Sequence, residues 1–370
     1  MNLLDDGLDW RHWFERWEAM QNCYGPRQNL GEAVIGAKKR MDEVVFLEEL
    51  ISIPSPSGQE DAVAEYLVRQ MAALGFCVRR DEVGNVVGIL GDVGAERAIL
   101  LLGHIDTVPG LVPVRRAGDR LYGRGAVDAK GPLAAFVLAA TRVAPQLNGA
   151  RLVVVGAVEE EAHSLGARHL TCTMQPPDCV IIGEPGGWEG ITLGYKGVLT
   201  IDYRLARPAR HSASGQPTPA EEAVAFWNRL AAHAAALNGG RAWRFDTLDP
   251  ALRAMRTFGD GLEEGVEMRI ALRLPPGLGV TALQQEMRAW CNGAQLTFPY
   301  SEPPFLAEKN IPPVRALLRA IRAEGGRPRF KLKTGTSDMN VVGPAWGCPI
   351  VAYGPGDAAL DHTPNEHIEI

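Results

Sequence analysis

The sequence predicts an α/β fold built around a mainly parallel sheet, with a second, smaller unit inserted into it. Helical patterns of apolar residues alternate with short, continuous apolar runs of the kind that form buried parallel strands. The pattern changes between about 194 and 301, where a strand with alternating polar and apolar residues appears. The first pattern resumes at a helix over 312–323, so the smaller unit interrupts the larger one.

The elements can be assigned in chain order from this periodicity. Helices of the larger unit are predicted at 41–53, 59–74, 133–143 and 312–323, and its strands at 86–90, 98–102, 152–157, 180–182 and 350–353. The inserted unit is predicted to contain strands at 198–205 and 266–274 and helices at 219–237 and 281–291. The expected domains are therefore 41–193 with 302–370, and 194–301.

Residues 1–40 differ in character from the rest of the chain. Trp10, Trp13 and Trp17 lie in a charged segment with weak periodicity. We interpret this segment as an N-terminal appendage of unknown role. A packed N-terminal helix anchored by its tryptophans is the alternative.

Composition excludes several classes of protein. The chain has 370 residues and a net charge of −6, which excludes a globally basic nucleic-acid binder. Its apolar runs are shorter than the roughly 18–20 residues of a membrane span. Six scattered cysteines form no C-x-x-C pair, and the N-terminus opens with acidic residues rather than a secretory signal. We expect a cytoplasmic protein with no membrane or nucleic-acid partner.

Ionisable residues directly follow the apolar strands. Because the carboxyl ends of strands in an open α/β sheet line one crevice, we expect these residues to converge. An aspartate before the apolar helix at 133–143 joins the same set. The residues are His104 and Asp106 after the strand 98–102, the triplet 159–161 after 152–157, Glu184 after 180–182, His362 near the end of the chain, and Asp128 before the helix.

Two histidines and several carboxylates without a thiolate suit divalent zinc, cobalt or manganese. A shared carboxylate would let five residues hold two ions about 3.5–4 Å apart, and a neighbouring glutamate could act as general base. Taken singly, a histidine at a strand end or an acidic triplet is more often a surface feature. The conjunction of several such clusters favours a metal site. Other motif classes are weak or absent: Gly123-x-Gly125 lacks the third glycine of a dinucleotide fingerprint, and neither a Walker A motif nor a Gly-x-Ser-x-Gly elbow occurs.

Over about 41–370 these motifs resemble peptidase family M20A, the co-catalytic metallopeptidases that include acetylornithine deacetylase, succinyl-diaminopimelate desuccinylase and carboxypeptidase G2. Three further segments look most like the branch that releases lysine or ornithine from an amino-group carrier protein. The family motifs are His104-Ile-Asp106-Thr-Val, Gly123-Arg-Gly-Ala-Val-Asp128, Glu159-Glu-Glu161, Gly183-Glu184-Pro185 and Asp361-His362-Thr-Pro-Asn-Glu366; the branch segments are Gly194-Tyr-Lys-Gly197, Arg273-Leu-Pro-Pro-Gly277 and Lys333-Thr-Gly-Thr-Ser-Asp-Met-Asn340.

The resemblance implies a zinc-peptidase-like catalytic domain and an inserted α+β, ferredoxin-like domain that acts as lid and dimerisation unit. It also implies a role for each motif residue, with two zinc or cobalt ions, or manganese, as cofactors. His104 and Glu184 would hold one ion, Glu161 and His362 the other, and Asp128 would bridge both; Glu160 would be the general base, Asp106 would orient His104, His211 would polarise the scissile carbonyl from the partner subunit, and Arg273, Lys333, Thr336, Ser337 and Asn340 would bind substrate.

The activity implied is that of a metal-dependent amide hydrolase, working as a homodimer in lysine or arginine biosynthesis. It would release lysine or ornithine from the glutamyl γ-carboxyl of an acidic carrier protein. A small-molecule deacylase such as acetylornithine deacetylase or succinyl-diaminopimelate desuccinylase is an alternative. The segment 337–340 lacks the arginine with which desuccinylases bind a substrate carboxylate. The alternative outside the class of enzymes is a catalytically silent binding module on the same fold.

A basic run supports the carrier hypothesis from the residues alone. Between 315 and 333 seven basic residues accompany one acidic residue, Glu324, in a chain that is acidic overall. Such a rim would steer an acidic carrier, although a solvated helix face explains the same residues equally well. The seven are Arg315, Arg319, Arg322, Arg327, Arg329, Lys331 and Lys333.

Overall fold

The computed structural model describes residues 42–211 and 213–370, so the predicted appendage at 1–40 lies outside the described residues. The helices are α1 (Glu43–Ser52), α2 (Asp61–Ala73), α3 (Lys130–Val143), α4 (Leu165–Thr173), α5 (Pro219–Asn238), α6 (Val280–Ala289), α7 (Pro312–Ala323) and α8 (Met339–Trp346). The strands are β1 (Cys77–Arg80), β2 (Val86–Gly91), β3 (Arg97–His104), β4 (Arg115–Ala117), β5 (Arg120–Tyr122), β6 (Ala150–Ala157), β7 (Cys179–Ile182), β8 (Gly190–Tyr195), β9 (Gly197–Pro208), β10 (Asp249–Gly259), β11 (Glu263–Leu274), β12 (Gln295–Glu302), β13 (Phe305–Leu306), β14 (Arg329–Lys333), β15 (Ile350–Ala352) and β16 (His367–Glu369).

The predicted α/β fold class is confirmed by a nine-stranded sheet with helices on both faces. Its order is β1-β2-β6-β3-β7-β15-β8-β13, with β14 paired to β8. The central strands β6, β3, β7 and β15 are parallel, and antiparallel pairs flank them. One face packs against α1, α2, α3 and α7, and the other against α4 and α8. The central strands are those the apolar runs predicted.

A second, four-stranded antiparallel sheet comes from one continuous stretch, from β9 to β12. Its chain order is β9-α5-β10-β11-α6-β12 and its spatial order is β10-β11-β9-β12, which is the ferredoxin-like arrangement. Apolar residues of β9 and β11 pack against α5 and α6 on one face. Since side chains alternate along a strand, the opposite face carries the polar residues of β9 and β11.

Polar side chains determine where two of the helices begin. Asp42 accepts hydrogen bonds from the backbone N–H groups of Val44 and Val45 at 3.0 and 3.1 Å, so α1 begins at Glu43 rather than at Met41. Thr218 and Glu221 form a reciprocal capping box at the start of α5. These caps satisfy N–H groups that the first turn of a helix leaves without a partner.

Sequence periodicity missed β10 and β12. Most side chains of β10 are exposed because it is the edge strand, so it lacks the alternation that marks a half-buried strand. The side chains of β12 alternate in burial, but its pairing with β9 shifts between Thr297 and Tyr300, around Pro299, and a proline within a run argues against a strand. Among the described residues, no helix combines the length and the apolar content that a membrane crossing requires.

Candidate active site

The ionisable residues at the strand ends converge as the sequence predicts. His104 ends β3 and is 1% exposed, and the loops after β6 and β7 bring glutamates beside it. Ligand atoms of His104, Asp128 and Glu161 lie within 4.8 Å of one another. Those of His104, Glu160 and Glu184 form a second such group. Two groups that share one histidine mark a site with room for more than one cation.

Asp128 lies between the two histidines. Its Oδ1 is 3.3 Å from His104 Nε2, and its Oδ2 is 3.0 Å from His362 Nε2. Glu161 Oε1 is 2.9 Å from the same nitrogen of His362. A carboxylate with one oxygen towards each histidine has the geometry expected of a bridging ligand.

The backbone around Asp128 is fixed by a buried ion pair. Glu366 Oε1 accepts hydrogen bonds from the N–H groups of Val127 and Asp128 at 3.0 and 3.2 Å. Its Oε2 accepts one from Arg124 Nη1 at 2.7 Å, and the two side chains are only 1% and 12% exposed. Sequence analysis gave Glu366 no role, although it closes the motif that contains His362. Glu366 therefore acts as a positioning residue for Asp128.

We expect Glu366→Ala to lower the free energy of unfolding of the metal-free protein by about 3 kcal/mol, because it leaves the Arg124 guanidinium buried and unpaired. Urea unfolding followed by circular dichroism measures this. The exposed Glu369 three residues later provides the control, and Glu369→Ala should change stability by less than about 0.5 kcal/mol. A loss below about 1 kcal/mol in Glu366→Ala would contradict the role of the pair.

Asp106 connects a histidine to the acidic loop. Its carboxylate accepts hydrogen bonds from the N–H groups of Glu160 and Glu161 at 3.1 and 3.0 Å and from Ser57 Oγ at 2.7 Å. His104 Nδ1 lies 3.3 Å from Asp106 Oδ1. Burial opposes ionisation of Asp106, but the hydrogen bonds and the charge of His104 hold its pKa below the usual range. Asp106 thus orients the loop that carries Glu160 through its carboxylate, and the His104 ring through both its carboxylate and its backbone carbonyl, which lies 3.0 Å from His104 Nδ1.

The site concentrates negative charge away from water. Burial, opposed by His104 and reinforced by Glu184 and Glu161, raises the pKa of Glu160 well above its usual value. Burial also raises the pKa of Glu184 to about 7, although Lys333 Nζ is 3.5 Å from its Oε2. Hydrogen bonds with Asp128 and Glu161 raise the pKa of His362 to about 10. Buried carboxylates require a compensating positive charge, and their oxygens converge here with histidine nitrogens. This set of ligand atoms fits divalent metal ions.

A cavity of about 770 Å³ opens above these residues, between the two sheets. The four-stranded sheet contributes Arg253, Arg273 and Tyr300, and the loop after β14 contributes Thr336. Arg273 Nη1 donates a hydrogen bond to Thr336 Oγ1 at 3.2 Å, which joins the two walls. A cavity with carboxylate side chains at its floor and arginine and lysine side chains on its wall can hold a carbonyl compound that bears a carboxylate.

Three residues that were predicted to contact the substrate lie away from this cavity wall. Ser337 and Asn340 are buried behind it, and the Asn340 amide donates to the carbonyls of Lys196 and Pro303 at 3.1 and 2.7 Å. His211 is exposed beyond the end of β9, with its Nδ1 bonded to the N–H of Ala213 at 3.1 Å. The chain therefore brings Arg273, Lys333 and Thr336 into the cavity, but not these three.

Sequence analysis did not select three other residues that line the cavity. Arg253 and Tyr300 lie on β10 and β12, two of the strands that periodicity missed. Asp361 directly precedes His362, and that adjacency could have identified it. Burial and the neighbouring charge of Asp128 raise the pKa of Asp361 to about 8.

Comparison with known proteins finds relatives of this chain by sequence and by fold. The model of peptidase family M20/M25/M40 matches residues 100–370. The [LysW]-lysine hydrolase of Deinococcus radiodurans is 43% identical over 333 residues, which cover 88% of this chain and 91% of that protein. Among solved structures, an M20 family metallo-carboxypeptidase from Sulfolobus solfataricus has a TM-score of 0.71 at 20% identity and covers 89% of this chain and 95% of that one. A dinuclear metal-binding M20 peptidase from Bacillus subtilis has a TM-score of 0.65 at 13% identity, with 88% and 92% covered.

Proposed function

The chain belongs to peptidase family M20/M25/M40, and from this premise we propose that it releases lysine or ornithine from the glutamyl γ-carboxyl of an acidic amino-group carrier protein. The protein is a metal-dependent hydrolase. The observation that carries the substrate proposal is the 43% identity to a [LysW]-lysine hydrolase across 88% of this chain and 91% of that protein. The cationic cavity wall beside an acidic floor supports it.

The residues present fit two divalent cations, zinc or cobalt, with manganese also suited to these donors. We propose that His104 and Glu184 hold one ion, that Glu161 and His362 hold the other, and that Asp128 bridges them; its separate oxygens towards the two histidines support this assignment. Bound at these residues, the ions would supply Lewis-acid polarisation of the scissile carbonyl and of the attacking water.

Proton transfer is assigned to Glu160. Its Oε2 lies 4.0 Å from His104 Nε2, so it is beside the ligands, and Asp106 fixes its backbone. The carboxylate takes the proton of the attacking water, and the resulting acid returns it to the leaving α-amine. Burial, which raises the pKa of Glu160, favours the return step because the protonated form is more stable there than in water.

Substrate binding is assigned to cations on the cavity wall. We propose that Arg273 binds the α-carboxylate of the departing amino acid, with Thr336 and Lys333 beside it. Ser337 and Asn340, which do not line the cavity, would then support substrate binding only by holding the loop that carries Thr336. Ser337 N–H donates to Asn340 Oδ1 at 2.9 Å, and this bond fixes the turn that follows Thr336.

Arg273→Lys is expected to raise KM about tenfold with little change in kcat, because an ammonium group cannot form the paired hydrogen bonds of a guanidinium. Steady-state kinetics with carrier-linked lysine measures this. Arg269 lies four residues earlier on the same face of β11 and pairs with Asp202 Oδ1 at 2.6 Å, so Arg269→Lys is the matched control. Equal KM changes in the two variants would contradict the assignment.

We further propose that 194–301 is an inserted lid and dimerisation domain between the catalytic segments 41–193 and 302–370, and that the homodimer works in the cytoplasm. His211 is exposed and absent from the cavity of its own chain, which supports a role in the partner's site. There it would donate a hydrogen bond to the developing oxyanion.

Mixing subunits tests the assignment of His211. Glu160→Gln and His211→Ala are each expected to be nearly inactive alone. After denaturation and refolding together they should recover about a quarter of wild-type activity, because half of the dimers are mixed and each mixed dimer has one intact site. Activity no higher than the sum of the separate variants would contradict a contribution from the partner.

The substrate proposal is tested by comparing kcat/KM for carrier-linked lysine, carrier-linked ornithine and N-acetylornithine with the metal-loaded enzyme. We expect a carrier-linked substrate to exceed N-acetylornithine by more than about tenfold, since the carrier adds contacts outside the cavity. A smaller ratio would favour a small-molecule deacylase with the same metal site. Failure to bind any divalent metal would favour the silent binding module.

A further inference from the structure

Strand β14 is an open edge of the large sheet. It pairs in parallel with β8, and no other strand in the described part of the chain pairs with it. Arg329 N–H donates to the Glu189 carbonyl at 2.9 Å, and the Lys333 carbonyl accepts from Lys196 N–H at 3.1 Å. Because alternate residues of a strand direct their backbone groups to the same side, those of Phe330 and Leu332 face away from β8.

The exposed side chains of β14 combine apolar surface with positive charge. Phe330 and Leu332 are 45% and 37% exposed. Arg329 and Lys331 are also exposed, and neither side chain forms an ion pair with a described residue. In a chain with a net charge of −6, this edge is locally basic. Its cations repel a second copy of the same edge and attract an acidic strand.

The strand also leads into the active-site cavity. Leu332, Lys333 and the loop as far as Thr336 line the cavity wall. Lys333 Nζ lies 3.5 Å from Glu184 Oε2, so the C-terminal end of β14 reaches a proposed metal ligand. At about 3.3 Å per residue, a peptide of four or five residues spans β14. A peptide along this edge would therefore end at the site of hydrolysis.

We propose that the outer edge of β14 binds an extended acidic peptide by strand addition, through the outward backbone groups of Phe330 and Leu332 and the charges of Arg329 and Lys331. This inference rests on the proposed function: the peptide is the segment of the carrier that bears the substrate glutamyl group. Main-chain hydrogen bonds supply the affinity, and the cations select acidic side chains.

The basic run at 315–333 thus separates into two surfaces. Arg319 and Arg322 lie on α7, whose Val314 and Ile321 pack against the sheet, and neither arginine lines the cavity. Arg329 and Lys331 lie on the edge that continues into the cavity. We therefore assign partner recognition to β14 and use α7 as the control surface.

Fluorescence anisotropy of a labelled eight-residue peptide that alternates glutamate and valine tests the proposal with the metal-loaded protein. Phe330→Pro removes one outward N–H while leaving the ladder to β8 intact, and proline is tolerated at such edge positions. Arg329→Glu with Lys331→Glu reverses the charge of the edge. Arg319→Glu with Arg322→Glu makes the same charge change on α7. Circular dichroism and metal content check the fold of each variant.

We expect Phe330→Pro and the β14 charge reversal each to weaken peptide binding at least about tenfold, and the α7 reversal to change it less than about twofold. Equal weakening by the two reversals would replace strand addition with diffuse charge attraction. Wild-type affinity in a folded Phe330→Pro variant, or no binding to the wild type, would also overturn the proposal. If the Phe330→Pro variant does not fold, the comparison of the charge reversal on β14 with that on α7 tests the proposal.

Failure of the proposed function would be visible separately. The anisotropy measurement involves no turnover, whereas the proposed function fails if the wild type releases no lysine from the carrier. If the wild type releases lysine from the carrier and all the β14 variants bind the peptide with wild-type affinity, the proposed function stands and the β14 edge is not the peptide-binding site. In the expected case, the β14 variants also raise KM for carrier-linked lysine about tenfold.

Discussion

Glu160→Gln is expected to lower kcat about 10³-fold while the protein keeps its full metal content, because glutamine has nearly the shape of glutamate but cannot accept the proton of the attacking water. The variant also keeps the backbone N–H of residue 160 that donates to Asp106 at 3.1 Å, so the loop should stay in place. Rapid-quench kinetics gives kcat, and elemental analysis of the dialysed protein gives the metal content.

Glu159 is the matched control for this prediction. It precedes Glu160 in the same acidic triplet but is absent from the cavity wall. Glu159→Gln should keep kcat within about threefold of the wild type, as expected for a residue outside the reacting groups. If Glu160→Gln instead loses metal, Glu160 is a ligand rather than the base. If it keeps full activity, the base is another residue.

Asp128→Asn is expected to remove at least one metal ion and to lower kcat below about a thousandth of the wild-type value. The reason is geometric, since the two carboxylate oxygens of Asp128 approach His104 and His362 separately. An asparagine amide has only one oxygen that can bind a metal ion in the same way. Adding zinc at about 100 times its Kd should stabilise the wild type by about 2.7 kcal/mol and the variant by much less.

Asp361→Asn controls for the exchange of an aspartate for an asparagine in the same cavity. Asp361 lines the same cavity and precedes His362, but it is outside the proposed ligand set. This variant should bind as much metal as the wild type. Full metal content and full stabilisation by zinc in Asp128→Asn would contradict a bridging role.

The positions of the proposed ligands could be predicted from sequence because strand ends are recognisable. The apolar runs at 98–102, 152–157 and 180–182 became β3, β6 and β7, and parallel pairing placed the residues that follow them at one edge. Asp128 and His362 are not at strand ends of this kind. Asp128 was selected because it precedes the apolar helix and His362 because it follows the last apolar run, and the fold brings them to the same edge through α3 and the loop before β16.

The cavity wall was less predictable because it depends on the direction of single side chains. Thr336 faces the cavity, whereas Asn340, four residues later, directs its amide to the backbone of Lys196 and Pro303. No periodic pattern distinguishes these two cases, because one residue lies in the loop after β14 and the other in the first turn of α8. Arg253 reaches the wall from β10, whose side chains are mostly exposed, and Tyr300 reaches it from β12, where Pro299 argues against a strand.

The most direct measurement is a single-turnover reaction of the metal-loaded enzyme with carrier-linked lysine, followed by mass spectrometry of the carrier and by detection of free lysine. The proposed function predicts that the carrier loses the mass of one lysine residue as free lysine appears, and that Glu160→Gln abolishes both changes. An unchanged carrier with rapid cleavage of N-acetylornithine would contradict it and move the protein to the small-molecule deacylases.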